Sequence, residues 1–151
     1  MIKILCVGKI KEKFYKEAID EYVKRLNKYT KIEIVEVPDI NLGNKNLILN
    51  KEKDNILKHL KEKEFIITLE IEGKQLTSKE FSEKIDNIFL ENSDITFIIG
   101  GSYGLHDEIK DKADYKLSFS KFTFPHQLFR VLLLEQIYRG YKIIKNESYH
   151  K

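Results

Sequence analysis

The sequence predicts an α/β fold in which helices cover both faces of a parallel β-sheet, giving a three-layer sandwich. Short apolar runs alternate with longer segments of helical periodicity, as in chains built from strand–helix units. The 151 residues, 42% of them hydrophobic, suffice for one sizeable core. Because no repeat, linker or low-complexity tract interrupts the pattern, residues 1–151 are predicted to form a single domain.

The first half of the chain supplies three strands and two helices. Ile2–Gly8 is an apolar run typical of a buried strand, and Phe14–Tyr29 places apolar residues at helical spacing. Lys31–Val37 is predicted to be a second strand, which ends before a proline. Leu47–Lys63 is a charged helix with one apolar side, and the β-branched run Glu64–Ile71 is the third strand.

The second half continues the alternation and places the expected site. Thr77–Leu90 begins with a capping-box pattern, Ile95–Gly101 is the fourth strand, and Asp107–Lys112 is a short helix. Tyr115–Ser120 is the fifth strand, and a long helix runs over Pro125–Ile144. Ligands of parallel sheets bind outside the carboxyl ends of the strands. The loops after strands three, four and five are therefore predicted to form the site.

The charge is unevenly distributed along the chain. The net charge is +3, but residues 1–31 carry nine Lys or Arg against four Asp or Glu, and residues 121–151 carry six against two. Two basic ends suit a polyanionic partner if they share one surface, although on charge alone a solubilising lysine-rich face is the simpler explanation.

Several classes of protein are disfavoured. No apolar stretch is long enough to span a membrane and the N-terminal region does not resemble a secretory signal, so a cytoplasmic protein without a membrane partner is expected. The only cysteine, Cys6, lies in an apolar strand without metal-ligand spacing, which predicts a buried side chain and no metal site. The Walker A, G-x-G-x-x-G, G-x-S-x-G and H-E-x-x-H motifs are absent.

Two loops carry the strongest local signals. Three of the seven glycines, Gly100, Gly101 and Gly104, follow strand four. They indicate either a tight turn or a backbone that must approach a flat ligand closely; Gly73-Lys74 is predicted to be a plain turn. The other loop, Phe119–Phe124, alternates phenylalanines with small or basic residues, which suits core packing or an apolar slot for an adenine ring.

The final helix carries apolar residues around much of its circumference, as in helices that pack against a symmetry mate. Arg130 and Arg139 lie among these residues, so each is expected to meet a carboxylate, a carbonyl or a phosphate. The tail beyond the helix carries Tyr149 and His150 close to its end, and by default such a tail is frayed.

Long motifs in a fixed order carry a resemblance over essentially the whole chain. They are KILCVGKIKEKFYKEAIDEYVKRL (3–26), IITLEIEGK (66–74), FIIGGSYGL (97–105), LSFSKFTFPHQLFRVLLLEQIYRGYKI (117–143) and the terminal YHK. The chain resembles SPOUT (α/β-knot) methyltransferases, and within them the RlmH family, the pseudouridine-N3-methyltransferases of large-subunit (23S) ribosomal RNA.

This resemblance implies a C-terminal trefoil knot, S-adenosylmethionine as methyl donor, a homodimer and a ribosomal substrate. By matching motif positions, it implies cofactor contacts at Leu69, Gly100, Gly101, Phe119, Ser120, Lys121, Phe122, Thr123 and Phe124. It likewise implies catalytic positions at His126, Arg130, Arg139, Tyr149 and His150, the last two supplied by the partner subunit.

Methyl transfer to a ring nitrogen needs positioning and removal of one proton, and no metal. His150 is the favoured proton acceptor, with a tyrosine or water as alternatives, and Arg139 is expected to favour the anionic base or hold a phosphate. Two other functions stay open: a non-catalytic ribosome-binding or assembly factor, and a flavodoxin-like nucleotide-binding module.

Overall fold

The protein's structure, a computed structural model describing residues 1–151, confirms the predicted α/β architecture. Five parallel strands form one sheet in the order β2-β1-β4-β3-β5. The strands are β1 (Ile2–Val7), β2 (Ile32–Val37), β3 (Phe65–Gln75), β4 (Ile95–Ile99) and β5 (Tyr115–Ser118). The helices are α1 (Lys13–Leu26), α2 (Lys45–Leu57), α3 (Ser78–Glu91), α4 (Asp107–Asp111) and α5 (His126–Ile144).

The sheet separates two apolar cores, which establishes the three layers. Successive strand residues point to opposite faces. In β1, Ile4 and Cys6 join the core formed with α1, α3 and α5, whereas Leu5 and Val7 join the core formed with α2 and α4. Every residue of β1 is buried, as expected for a strand covered on both sides.

Most predicted elements are present with small shifts at their ends. The capping box of α3 is confirmed: the Thr77 hydroxyl accepts from the Glu80 N–H at 3.1 Å, and the Glu80 carboxylate accepts from the Thr77 N–H at 2.9 Å. Helix α2 is shorter than predicted, because the chain already turns after Leu57.

The predicted turn at Gly73-Lys74 is wrong, because β3 continues through Gln75. Leu69 and Lys74 both pair with Leu117, so residues 70–73 bulge out of the sheet and return to the same partner. A Cβ on Gly73 would lie 2.8 Å from backbone atoms of Lys116 and Leu117, so only glycine allows this return. The bulge places extra residues at the carboxyl edge of the sheet.

Cys6 lies at the centre of the fold and is fully buried, as predicted. Burial raises the pKa of its thiol to about 12, so the nucleophilic thiolate does not form at neutral pH. None of the helices combines the length and apolar character of a bilayer span. The trefoil knot and the single-domain organisation stay predictions.

Candidate active site

A cleft opens at the carboxyl edge of the sheet, where β3, β4 and β5 end. Its cavity volume is about 150 Å³, and the cleft is open to solvent on one side. Of the predicted cofactor residues, those that line it are Leu69, Gly100, Gly101, Phe119, Ser120, Phe122, Thr123 and Phe124. His126 also lines it, whereas Lys121 is exposed and does not. The three loops selected by the parallel-sheet rule thus form one cleft.

The β3 bulge adds wall residues that sequence reasoning missed, notably Glu70 and Ile71. The Glu70 side chain is only 7% exposed, accepts a hydrogen bond from the Thr68 hydroxyl at 2.6 Å, and lies 3.8 Å from the Lys110 ammonium. The wall therefore contains a shielded carboxylate.

The glycine loop contributes its backbone to the cleft, and of the two predicted reasons for its glycines the structure shows the tight turn. A Cβ on Gly100 would lie 2.5 Å from the Gly104 carbonyl oxygen, and one on Gly101 would meet Val7 and Glu52 at 3.1 and 3.2 Å. Gly104 has a positive φ of 76° and donates its N–H to the Gly101 carbonyl at 3.0 Å. The missing side chains of Gly100 and Gly101 therefore make room for the loop itself and for the protein behind it.

The phenylalanine side chains of residues 119–124 occupy two parts of the cleft, its floor and its rim. The rings of Phe119 and Phe124 lie 4.8 and 6.0 Å from the ring of Phe129, which sequence reasoning did not assign to the site. Phe122 is 79% exposed, and its backbone N–H donates to the Ser120 hydroxyl at 2.9 Å. Two aromatic rings thus belong to the packed floor, and one stands free at the mouth.

Arg130 lies outside the cleft and is 1% exposed. Its Nη1 donates to the Glu36 carboxylate at 2.6 Å and its Nη2 to the Gly8 carbonyl at 3.1 Å, so it meets a carboxylate and a carbonyl, as predicted. Arg130 therefore ties α5 to the ends of β1 and β2. In the isolated chain this role is structural.

A second polar cluster lies toward the other end of α5. The Arg139 guanidinium donates to Glu135 at 2.9 Å and lies 3.1 Å from Nδ1 of His150, while the Tyr149 hydroxyl donates to Glu135 at 3.1 Å. Sequence reasoning missed Glu135, since an acid four residues before an arginine is typical of any exposed helix face. Arg139, Tyr149, His150 and Glu135 are called the tail cluster below.

Hydrogen bonding orients the polar groups of the tail cluster. A guanidinium only donates, so Nδ1 of His150 accepts from Arg139 and the ring proton lies on Nε2. Burial, followed by the hydrogen bond to Glu135, raises the pKa of Tyr149, which keeps the phenol protonated at neutral pH. Arg139 and Tyr149 therefore donate to Glu135 within the cluster, and the role of His150 as proton acceptor stays a prediction.

The tail is docked on α5, contrary to the default expectation of fraying. Asn146 has a φ of 55°, and the N–H groups of Asn146 and Glu147 donate to the carbonyls of Ile143 and Lys142, which is a Schellman motif. The Glu147 carboxylate accepts from Lys142 at 2.9 Å and from the Tyr29 hydroxyl at 2.9 Å. These bonds turn the chain so that Tyr149 reaches Glu135.

Acid should weaken this docking. Hydrogen bonds from Lys142 and Tyr29 lower the pKa of Glu147 from 4.5 to about 2, so its contribution is complete above pH 4.5 and is lost as the pH falls toward 2. We expect Glu147→Gln to unfold at a lower temperature than wild type at pH 7, with the difference shrinking between pH 4.5 and 2 in thermal melts. A difference that stays constant over this range would contradict the assignment.

The predicted catalytic residues fall into two groups within one chain. His126 lines the cleft, whereas Arg139 lies 13 residues further along α5, a distance of about 20 Å at the rise of an α-helix. One chain therefore does not bring the cleft and the tail cluster together. No group of three or more His, Cys, Asp or Glu side chains is placed to hold a metal ion.

Comparison with known proteins assigns the family. The model of the family described as "Predicted SPOUT methyltransferase" matches residues 1–150. A Clostridium botulinum (strain Kyoto / Type A2) protein named ribosomal RNA large subunit methyltransferase H is 55% identical, covering 99% of both chains. A protein of the same name from Caldicellulosiruptor saccharolyticus is 51% identical and covers both chains fully.

A solved structure shares the fold at much lower identity. The probable methylase family protein from Haemophilus influenzae Rd KW20 superimposes with a TM-score of 0.58 at 14% identity, covering 99% of this chain and 70% of that one. Together with the family match over nearly every residue, these relationships show that the chain belongs to the SPOUT methyltransferase family.

Proposed function

We propose that the protein uses S-adenosylmethionine to methylate N3 of a pseudouridine in 23S ribosomal RNA, within assembled ribosomes in the cytoplasm. The observation that carries this proposal is the single cleft formed by the three loops to which the family resemblance assigns the cofactor. Membership of the family and relatives named as ribosomal RNA large subunit methyltransferases support it.

The cleft has the chemistry that the cofactor needs. Apolar side chains such as Leu69, Phe119 and Phe124 suit an adenine ring, and the backbone of the glycine loop supplies polar groups at its edge. The Glu70 carboxylate, which lies 3.8 Å from Lys110, adds a shielded hydrogen-bond acceptor to the wall. When bound there, S-adenosylmethionine supplies an activated methyl group on a sulfonium.

The active enzyme is proposed to be a homodimer with composite sites. Leu128, Val131 and Leu132 stay half-buried on α5, and no residue of this helix is fully exposed. Two copies packed through α5 in opposite directions bring the tail cluster of one subunit to the cleft of the other. The distance between His126 and Arg139 along one helix is the reason that a second copy is needed.

Each residue of the composite site is assigned a separate role in methyl transfer. Arg139 and Nε2–H of His150 donate hydrogen bonds to the base, favouring its anionic form as N3 loses its proton. His126 lies in the cleft, where its imidazole is placed to accept that proton. Glu135 holds Arg139 and Tyr149 in position.

Two measurements test this function. A ligand that binds only the native state at about 100 times its dissociation constant adds about 2.7 kcal/mol of stability, so S-adenosylmethionine should raise the melting temperature by several degrees and ATP should not. Labelled donor should then transfer its methyl group to purified large ribosomal subunits. A shift with ATP alone would favour a nucleotide-binding module, and binding to ribosomes without methylation would favour an assembly factor.

A further inference from the structure

A group of exposed lysines surrounds the connection between β1 and α1. Lys9, Lys11, Lys13 and Lys16 are all exposed. Only Lys13 has an acidic partner, Glu17, at 3.7 Å, and with side chains 90% and 65% exposed this pair contributes little attraction. The lysines therefore present positive charge to solvent.

These lysines lie beside the cleft, at the same edge of the sheet. The Lys11 N–H donates to the Gln127 side chain at 3.1 Å, and Gln127 directly follows His126 of the cleft. The Ile10 N–H donates to Glu36 at 2.9 Å, and Arg130 holds the Gly8 carbonyl. The backbone that carries the lysines is thus held against the first turns of α5, so the Cα positions of these lysines are fixed relative to the cleft.

An aromatic ring stands among the lysines. Phe14 is 62% exposed, and its ring centroid lies 4.4 Å from that of Tyr15. Unpaired RNA bases stack on exposed aromatic side chains while nearby lysines neutralise the phosphates. Basic residues interleaved with an exposed aromatic residue are typical of surfaces that bind single-stranded RNA.

We propose that Lys9, Lys11, Lys13, Lys16 and Phe14, called the β1–α1 patch, bind unpaired ribosomal RNA nucleotides that flank the methylated base. This inference rests on the proposed function and assigns to it a substrate-binding surface. The lysines contact phosphates and set affinity, and Phe14 stacks on one base. The pinned loop fixes the distance between that base and the cleft, so the patch helps to select which nucleotide enters.

The test compares two triple variants for binding to purified large ribosomal subunits over a series of salt concentrations. Lys9→Gln/Lys11→Gln/Lys13→Gln removes charge from the patch. Lys58→Gln/Lys61→Gln/Lys63→Gln removes the same charge from exposed positions before β3, at the opposite edge of the sheet. Co-sedimentation measures ribosome binding, calorimetry measures S-adenosylmethionine binding, and analytical ultracentrifugation measures the oligomeric state.

For the patch variant, we expect at least tenfold weaker ribosome binding. The slope of the logarithm of the binding constant against the logarithm of the salt concentration should be shallower by about 2. Cofactor binding and the oligomeric state should be unchanged. The control variant should bind like wild type. Phe14→Ala should weaken binding roughly fivefold without changing the salt dependence.

Equal binding by the two triple variants overturns the proposal. Loss of ribosome binding only together with dissociation into monomers also overturns it, because the patch is then a subunit interface. A wild-type protein that binds ribosomes without methylating them contradicts the proposed function instead, and reduced binding by the patch variant still supports the RNA surface.

Discussion

Replacing Arg139 with alanine should lower the rate of methyl transfer by about 100- to 1,000-fold, the usual cost of removing a donor that stabilises developing negative charge. Affinity for S-adenosylmethionine should stay within a few-fold of wild type, because Arg139 is proposed to contact the base and does not line the cofactor cleft of its own chain. Single-turnover methylation of ribosomes and calorimetry measure the two quantities. Lys145→Ala, an exposed change just beyond the same helix, is the matched control and should leave both unchanged.

Mixed dimers sharpen this experiment. Gly100→Ala should disable the cleft, because its Cβ would lie 2.5 Å from the Gly104 carbonyl. If the tail cluster acts on the partner's cleft, a dimer of one Arg139→Ala and one Gly100→Ala subunit keeps one intact site. Random assortment of the two chains should then restore about a quarter of wild-type activity. If each cluster served its own chain, every site would carry a defect and activity would not return.

Replacing Glu36 with alanine should cause a large loss of stability. The Arg130 guanidinium would lose its 2.6 Å carboxylate partner while staying 1% exposed, and its Nε already lacks a partner. Because the Glu36 side chain is 33% exposed, water can partly replace its carboxylate. We therefore expect the free energy of unfolding to fall by about 2–3 kcal/mol, at or below the low end for a broken buried pair.

Urea unfolding measures this loss. Glu36→Gln keeps an acceptor for Arg130 and should cost less, and Glu33→Ala, an exposed change on the same strand, should stay within about 0.5 kcal/mol of wild type. If Glu36→Ala matched Glu33→Ala, the ion pair between Arg130 and Glu36 would have no role in stability.

The fold was predictable where the signals were local. Residues close in sequence define the capping box of α3 and the apolar run of β1, and both are present. The continuation of β3 was not predictable from local signals, since Gly73 is typical of a turn. Its strand pairing depends on β5, more than 40 residues away. That long-range pairing also brings Glu70 into the cleft wall.

The loops that form the site were predictable from the sequence, but the contacts that individual residues make within it were not. Gly100 and Gly101 form part of the cleft, yet their missing side chains make room for Gly104 and for the residues behind the loop, Val7 and Glu52. Glu135 was missed because only the folded tail shows that it receives Tyr149 as well as Arg139. These relationships depend on three-dimensional contacts that sequence spacing does not encode.

The inaccessible thiol of Cys6 makes the natural chain a convenient background for site-specific labelling. A cysteine introduced at an exposed position, such as Phe122 at the cleft mouth or Lys151 in the tail, would be the only one to react with a maleimide dye at neutral pH. Energy transfer between a donor at one position and an acceptor at the other, on separate subunits, would then follow the approach of a tail to its neighbour's cleft in real time.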